Sequence, residues 1–192
     1  MNDLKLLSKI FACTFFLTLF SSCSSDVDEI NDAINGVDKD SKVSIKIENS
    51  TYQEHFDSNP PNYDKKIHTF NWSQDSYGEK EYSVSGYIDS VEGISLAGSG
   101  YVSIKLGKDI KQGQVFNINS SGFDFQISFN GLSNSVYFLQ DTTIGQLKIT
   151  YFDGVTMSAE FSFEKIEQTY DNNKKKEVKI TGNFTKIEKY KS

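Results

Sequence analysis

The chain has 192 residues, and its 20 lysines stand against 26 Asp plus Glu, giving a formal net charge of -6. No arginine is present, and this balance excludes the basic face with which nucleic-acid binders neutralise phosphates. Both cysteines, Cys13 and Cys23, fall near the N-terminus, so the remaining chain has none for a disulfide.

Residues 1–22 read as an export signal. Lys5 and Lys9 form a positive start, Ile10 to Phe20 an uncharged apolar run, and Ser21-Ser22 a small-residue approach to Cys23. The run is too short for a transmembrane helix, which needs about 20 apolar residues. A cut before Cys23 puts Phe20 three positions upstream, where ordinary signal cleavage wants a small side chain. The pattern resembles the bacterial lipoprotein signal, which accepts a bulky apolar residue there. It implies an acyl chain such as palmitate on Cys23 and an outer-membrane location. Cleavage would leave a mature charge near -7, from 18 Lys against 25 acidic residues.

Residues 23–42 read as the lipidated cysteine and an acidic tether, too polar to pack. Within it Ser25, Asp26, Asp28 and Glu29 resemble the acidic signal that sends Bacteroidota lipoproteins to the cell exterior.

From Val43 the apolar period becomes two, the mark of half-buried strands. Val43/Ile45/Ile47, Val102/Ile104/Leu106 and Phe123/Phe125/Ile127/Phe129 alternate cleanly. So do Leu147/Ile149/Tyr151, Val155 to Phe163, and Val178/Ile180/Gly182/Phe184. Weaker strands are expected through His68/Phe70/Trp72, Tyr82 to Ile88, Val115 to Ile118 and Val136 to Leu139. Asn130-Gly131 and Asp153-Gly154 supply hairpin turns, and Asp171 to Lys174 a longer one. The expectation is one all-β domain over 43–192, an antiparallel β-sandwich of about nine or ten strands, with a partly closed barrel as the alternative. A domain of about 150 residues buries roughly 70% of its unfolded surface, enough to fold without disulfides.

Residues 50–65 break the rhythm with Pro60-Pro61 and read as a long loop, followed beyond Trp72 by a second loop over 73–80. Tyr52, Phe56, Tyr63 and Trp72 lie in or beside these loops, and would form an aromatic platform with Asp57 and Asn59 as hydrogen-bonding neighbours.

Three segments in the C-terminal half have the forms G-x-I-x-I-T, G-x-F-x-F and I-T-G-x-F. They are Gly145 to Thr150 (Leu147 in place of the first Ile), Ala159 to Phe163 (Ala in place of the first Gly) and Ile180 to Phe184. Over roughly 86–187 the chain thereby resembles a group of uncharacterised Bacteroidota lipoproteins with a β-sandwich-like domain. The resemblance implies fold and carries no catalytic residue. Asp89-Ser90-Val91 and Asp141-Thr142-Thr143 resemble O-glycosylation triplets of exported Bacteroidota proteins, which would place sugar on Ser90 or Thr142.

The two histidines, His55 and His68, lie in no metal-ligand spacing, and no nucleophile elbow, phosphate loop or calcium loop is present. His55, Asp57 and Asp64 are the nearest approach to a cation cluster, but a mobile polar loop explains them better. No catalytic residue, cofactor or metal ligand is therefore assigned. The function expected is a non-catalytic module binding a glycan or a protein ligand. The alternative is an accessory subunit docking on an outer-membrane partner through a sheet edge. Changing Cys23→Ser should abolish palmitate labelling and release soluble protein or leave uncut precursor. Normal cleavage with retained membrane association would refute the anchor.

Overall fold

The alternating apolar segments fold as strands whose odd or even positions share one interior. The computed structural model describes residues 37–59, 62–75, 81–91, 99–129, 135–170 and 173–191, with backbone alone at 58–59 and 62–65. Cys23, Ser25, Asp26, Asp28, Glu29 and Asn130-Gly131 lie outside the described residues. The early strands are β1 (Val43–Ile47), β2 (Ser50–Glu54), β3 (Phe56–Asn59), β4 (Asn62–His68) and β5 (Asn71–Gln74). The middle of the chain forms β6 (Tyr82–Ser90), β7 (Gly100–Gly107), β8 (Val115–Phe116) and β9 (Phe123–Phe129). The last are β10 (Ser135–Phe138), β11 (Ile144–Phe152), β12 (Thr156–Tyr170) and β13 (Lys174–Lys189).

The all-β antiparallel class is as expected, and of the two architectures left open the barrel is the one adopted. Eight strands pair in the ring order β13, β1, β2, β6, β7, β9, β10, β12, and β12 returns to β13. Two long strands make closure possible. β12 pairs with β11 up to Glu164 and with β10 from Glu167 onward. Between these partners the β12–β13 ladder shifts register at Phe163/Ile166, and Lys165 there takes a positive φ of 57°. A second shift at Met157/Ala159 lies opposite Lys186, with φ of 46°. Bulges of this kind bend a strand and add twist, which a closed sheet requires. Strand β5 runs parallel to β13 and antiparallel to β6, β8 and β11 extend the sheet beyond β12, and β3–β4 stands apart as a two-stranded hairpin.

The register agrees with the sequence pattern. Phe125, Ile127, Ile149, Phe161 and Ile180 are buried together, while Gln126 and Lys148 are exposed and Glu160 and Lys179 are half-buried on the outer side. The rings of Phe116, Phe123, Phe163, Phe125 and Phe161 touch in succession through the interior, at centroid distances of 5.2 to 6.0 Å. Gly182 of the I-T-G-x-F segment is required by this packing. A Cβ there would lie 2.6 Å from the Ser44 carbonyl oxygen and 2.7 Å from the Phe161 ring.

Two local expectations change. Over its described residues the segment 50–65 is built of strands rather than a loop. Ser50–Glu54 enters the barrel between β1 and β6, and β3 with most of β4 follows. The apolar period is masked there because the inward positions are Ser50, Tyr52 and Glu54, two of them polar and the last a carboxylate. The turn after β11 also falls one residue later than read. Asp153 accepts from the amides of Thr156 and Val155 and from the Tyr151 hydroxyl, which hold its carboxyl down at about 2. Gly154 takes a φ of 84°, leaving Val155 exposed in the turn rather than inside.

Replacing Phe161 with Ala should cost about 3–5 kcal/mol in urea unfolding, as for a buried Phe. Its outward neighbour Glu160→Ala should stay within about 0.5 kcal/mol. Equal losses would mean the register is wrong.

Candidate functional site

The expected aromatic platform does not assemble. Trp72 is only 2% exposed. Its ring packs on Tyr82 at 5.8 Å and Phe152 at 5.5 Å, and its indole N–H donates to the Val155 carbonyl at 3.1 Å. A Trp whose face and polar tip are both satisfied inside is a core residue. Tyr52 is half-buried, packed on Phe129 at 5.2 Å, so it too faces the interior. Phe56 lies on the separate hairpin, edge-on to His68 and beneath the Lys66 ammonium. Asp57 is exposed, on the opposite face of that hairpin from Phe56. Tyr63 and Asn59 sit on β4 and β3, and their side chains lie outside the described residues.

What residues 50–69 build instead is a polar anchorage where the hairpin joins the barrel. Glu54 is 1% exposed at the barrel end. Its carboxylate accepts from the Phe70 amide at 3.0 Å and the Lys42 amide at 3.3 Å, and pairs with His68 Nδ1 at 2.8 Å. Across the hairpin root, His55 Nδ1 meets Asp89 Oδ2 at 2.5 Å and His55 Nε2 lies 3.5 Å from Asp57. Ser99 Oγ donates to the other Asp89 oxygen at 2.7 Å. The His55 amide donates to the Tyr87 carbonyl at 2.8 Å, and Thr69 Oγ1 donates to the His55 carbonyl at 2.7 Å. Residues 37–42, the end of the expected tether, join in: Asp38 takes a hydrogen bond and an ion pair from Lys66, and its amide donates to Gln53.

Serine, histidine and aspartate here do not make a nucleophilic triad. The Ser99 hydroxyl donates to the Asp89 carboxylate rather than to an imidazole nitrogen, so the serine–histidine contact of such a triad is missing. Among the described residues no three His, Cys, Asp or Glu side chains gather as a metal site, and Asp64 lies outside the described side chains.

The sequence reading missed the aromatics beside this anchorage. Tyr87 and Tyr101 are cross-strand partners on β6 and β7, 47% and 37% exposed, with ring centroids 5.2 Å apart. Each is an outward residue of a strand whose neighbours Gly86, Ile88, Val102 and Gly100 are buried. The signal was present in Tyr87-Ile88 and Tyr101-Val102, where a ring occupies the polar phase of an alternating strand. Asp89 and Ser99 lie two residues along the same outer face, and Ser85, Ser103 and Ser128 continue it across β6, β7 and β9. The result is a hydroxyl-rich stretch of outer wall carrying two rings, bounded at one end by His55, Asp57, Asp89 and Ser99.

At the other end of the barrel a cleft of about 570 Å³ opens between Glu81, Leu106, Lys108, Asp109, Gln114 and Phe116. Of the two glycosylation triplets, Ser90 is half-buried within the closed sheet opposite Tyr52, whereas Thr142 is exposed in the turn before β11. No protein-family model, curated protein or solved structure matches this chain.

Glu54→Ala would leave the Phe70 and Lys42 amides and the His68 ring without their acceptor. A buried unsatisfied group costs about 1–3 kcal/mol, so unfolding free energy should fall by at least that amount. Amide exchange over 56–68 should accelerate as the hairpin root loosens. An unchanged exchange pattern would show that Glu54 does not hold the hairpin.

Proposed function

We propose that this chain is a lipid-anchored outer-membrane lipoprotein, displayed on the cell exterior, whose barrel is a non-catalytic glycan-binding module. The observation that carries the reading is the solvent-facing Tyr87–Tyr101 pair on the outer face of β6–β7. Sugar rings present flat C–H faces that stack on aromatics, and tyrosine gives large contact area at small entropic cost. Two rings on adjacent strands are held by the ladder itself, so little order is lost on binding. The serines around them and the Asp89–Ser99 pair supply the hydrogen-bonding partners that sugar hydroxyls need.

Sequence features support the placement. The Cys23 signal and the acidic Ser25, Asp26, Asp28 and Glu29 segment argue for anchoring and surface display, and the family resemblance is to lipoproteins of that kind. Support for a non-catalytic role comes from Ser99 donating to Asp89 rather than to a histidine nitrogen. The alternative, a subunit docking through a sheet edge, is confined to the strands outside the ring, since closure pairs β1, β2, β6, β7, β9, β10, β12 and β13 on both sides while β8 ends the sheet and β3 and β4 pair only with each other.

Affinity electrophoresis through gels containing a panel of soluble polysaccharides tests the reading. At least one polymer should retard the protein, and Tyr87→Ala with Tyr101→Ala should weaken that retention tenfold or more. The rings pack on each other across the ladder, so each substitution should cost about 0.2–1 kcal/mol, too little to unfold the barrel and mimic lost retention. Retention by no polymer, or retention indifferent to both rings, would overturn the proposal.

A further inference from the structure

The charge around the ring pair narrows the ligand class, an inference that rests on the glycan reading above. We infer that the Tyr87–Tyr101 wall selects neutral, hydroxyl-rich glycans and rejects uronate- or sulfate-bearing ones. Asp57 and Asp89 bound the site, with side chains 67% and 39% exposed. Between them stands one imidazole, His55, which contacts both. Whatever proton His55 carries, two carboxylates outnumber it, so the local sum stays negative.

Nearby lysines do not reverse that sign. Lys66, on the hairpin, is held by Asp38 and Asp40 at the tether side. Lys105 lies four residues along β7 from Tyr101 and faces Asp124 across the ladder. Among the described side chains, an anionic sugar laid on the rings would therefore meet like charge with no basic partner beside them. Arginine, the usual bidentate partner of carboxylate and sulfate, is absent from the chain.

A neutral sugar meets the opposite situation. Asp57 has one carboxylate oxygen near His55 and projects the rest of the group to solvent. Asp89 accepts from Ser99 on one oxygen and contacts His55 with the other. Each carboxylate oxygen retains a second lone pair. The rim is thus rich in acceptors, and vicinal sugar hydroxyls are donors. Charge-assisted O–H···O⁻ bonds of this sort are stronger than neutral ones.

Affinity electrophoresis with a neutral glucan, a neutral mannan and a polyuronate, each at about 50 mM and about 500 mM salt, tests this. High salt screens the protein's overall charge but not a carboxylate in contact. Wild-type protein should be retarded by a neutral polymer and not by the polyuronate, at both salt concentrations. In the Asp57→Asn/Asp89→Asn variant, retention by the neutral polymer should fall and the polyuronate-to-neutral retention ratio should rise tenfold or more. Asp57→Asn alone, at an exposed position, should move the ratio the same way and guards against a loosened hairpin in the double variant. Equal or better polyuronate retention by wild type at high salt, or a ratio unchanged in both variants, would overturn the selectivity while leaving glycan binding in place. Failure of every polymer to retard the wild type would remove glycan binding itself, and the selectivity with it.

Discussion

The β12–β13 pair is the constraint on which the structure depends. A strand of 15 residues beside one of 16 is too long to remain straight within a small barrel. Their ladder shifts register twice, and Lys165 and Lys186 adopt left-handed backbone to allow it. Each kink lets a strand leave one neighbour and join another. β12 passes from β11 to β10, while β13 serves β1 in its middle and β5 at its end. Without these changes of partner the same strands would stack as two open sheets, the arrangement that the alternation alone favours.

Closure has a consequence for function. An eight-stranded barrel has an interior about wide enough for its own side chains. Here the inward positions of β6, β7, β9, β12 and β13 are filled by Val84, Ile88, Ile104, Phe125, Phe163 and Ile180. The described recesses and aromatic contacts open to solvent therefore lie on the outer wall and at the barrel ends. Closure also stiffens the wall, because Tyr87 and Tyr101 belong to strands paired on both sides. Their spacing is fixed by the ladder and does not have to be restored when a ligand arrives.

Most of the fold was legible because the interior is apolar and strictly alternating. Phe125, Ile127, Phe161 and Ile180 declare their side by period alone. Legibility ended where the barrel buries polar groups. Glu54 is an inward residue of β2, yet a carboxylate reads as solvent-facing, and its three partners at Lys42, His68 and Phe70 are distant in sequence. Strands β2, β3 and β4 were lost with it. The aromatic site was misplaced for a related reason. Trp72 in an irregular segment suggests exposure, but its burial follows from long-range contacts with Tyr82 and Phe152. Tyr87 and Tyr101 were passed over as ordinary strand residues, since Tyr is common in strands and its phase was not weighed. Barrel against sandwich was not decidable from local pattern, because it turns on two bulges that no residue type marks.

The buried Glu54 and the exposed tyrosines are parts of one arrangement. A carboxylate at the barrel end is costly unless its hydrogen bonds are complete. Completing them requires the Lys42 amide before β1, His68 at the end of β4 and the Phe70 amide before β5, which brings three chain segments to one place. Those segments also carry His55 and Thr69, which converge on the backbone of Tyr87. His55 in turn reaches Asp89, and Asp89 reaches Ser99 beside Tyr101. The buried acid thus organises the hairpin root, and the hairpin root sets the polar boundary of the wall. A change at Glu54 would reach the rings through backbone they share rather than through direct contact, which separates the residues that hold the surface from those that would touch a ligand.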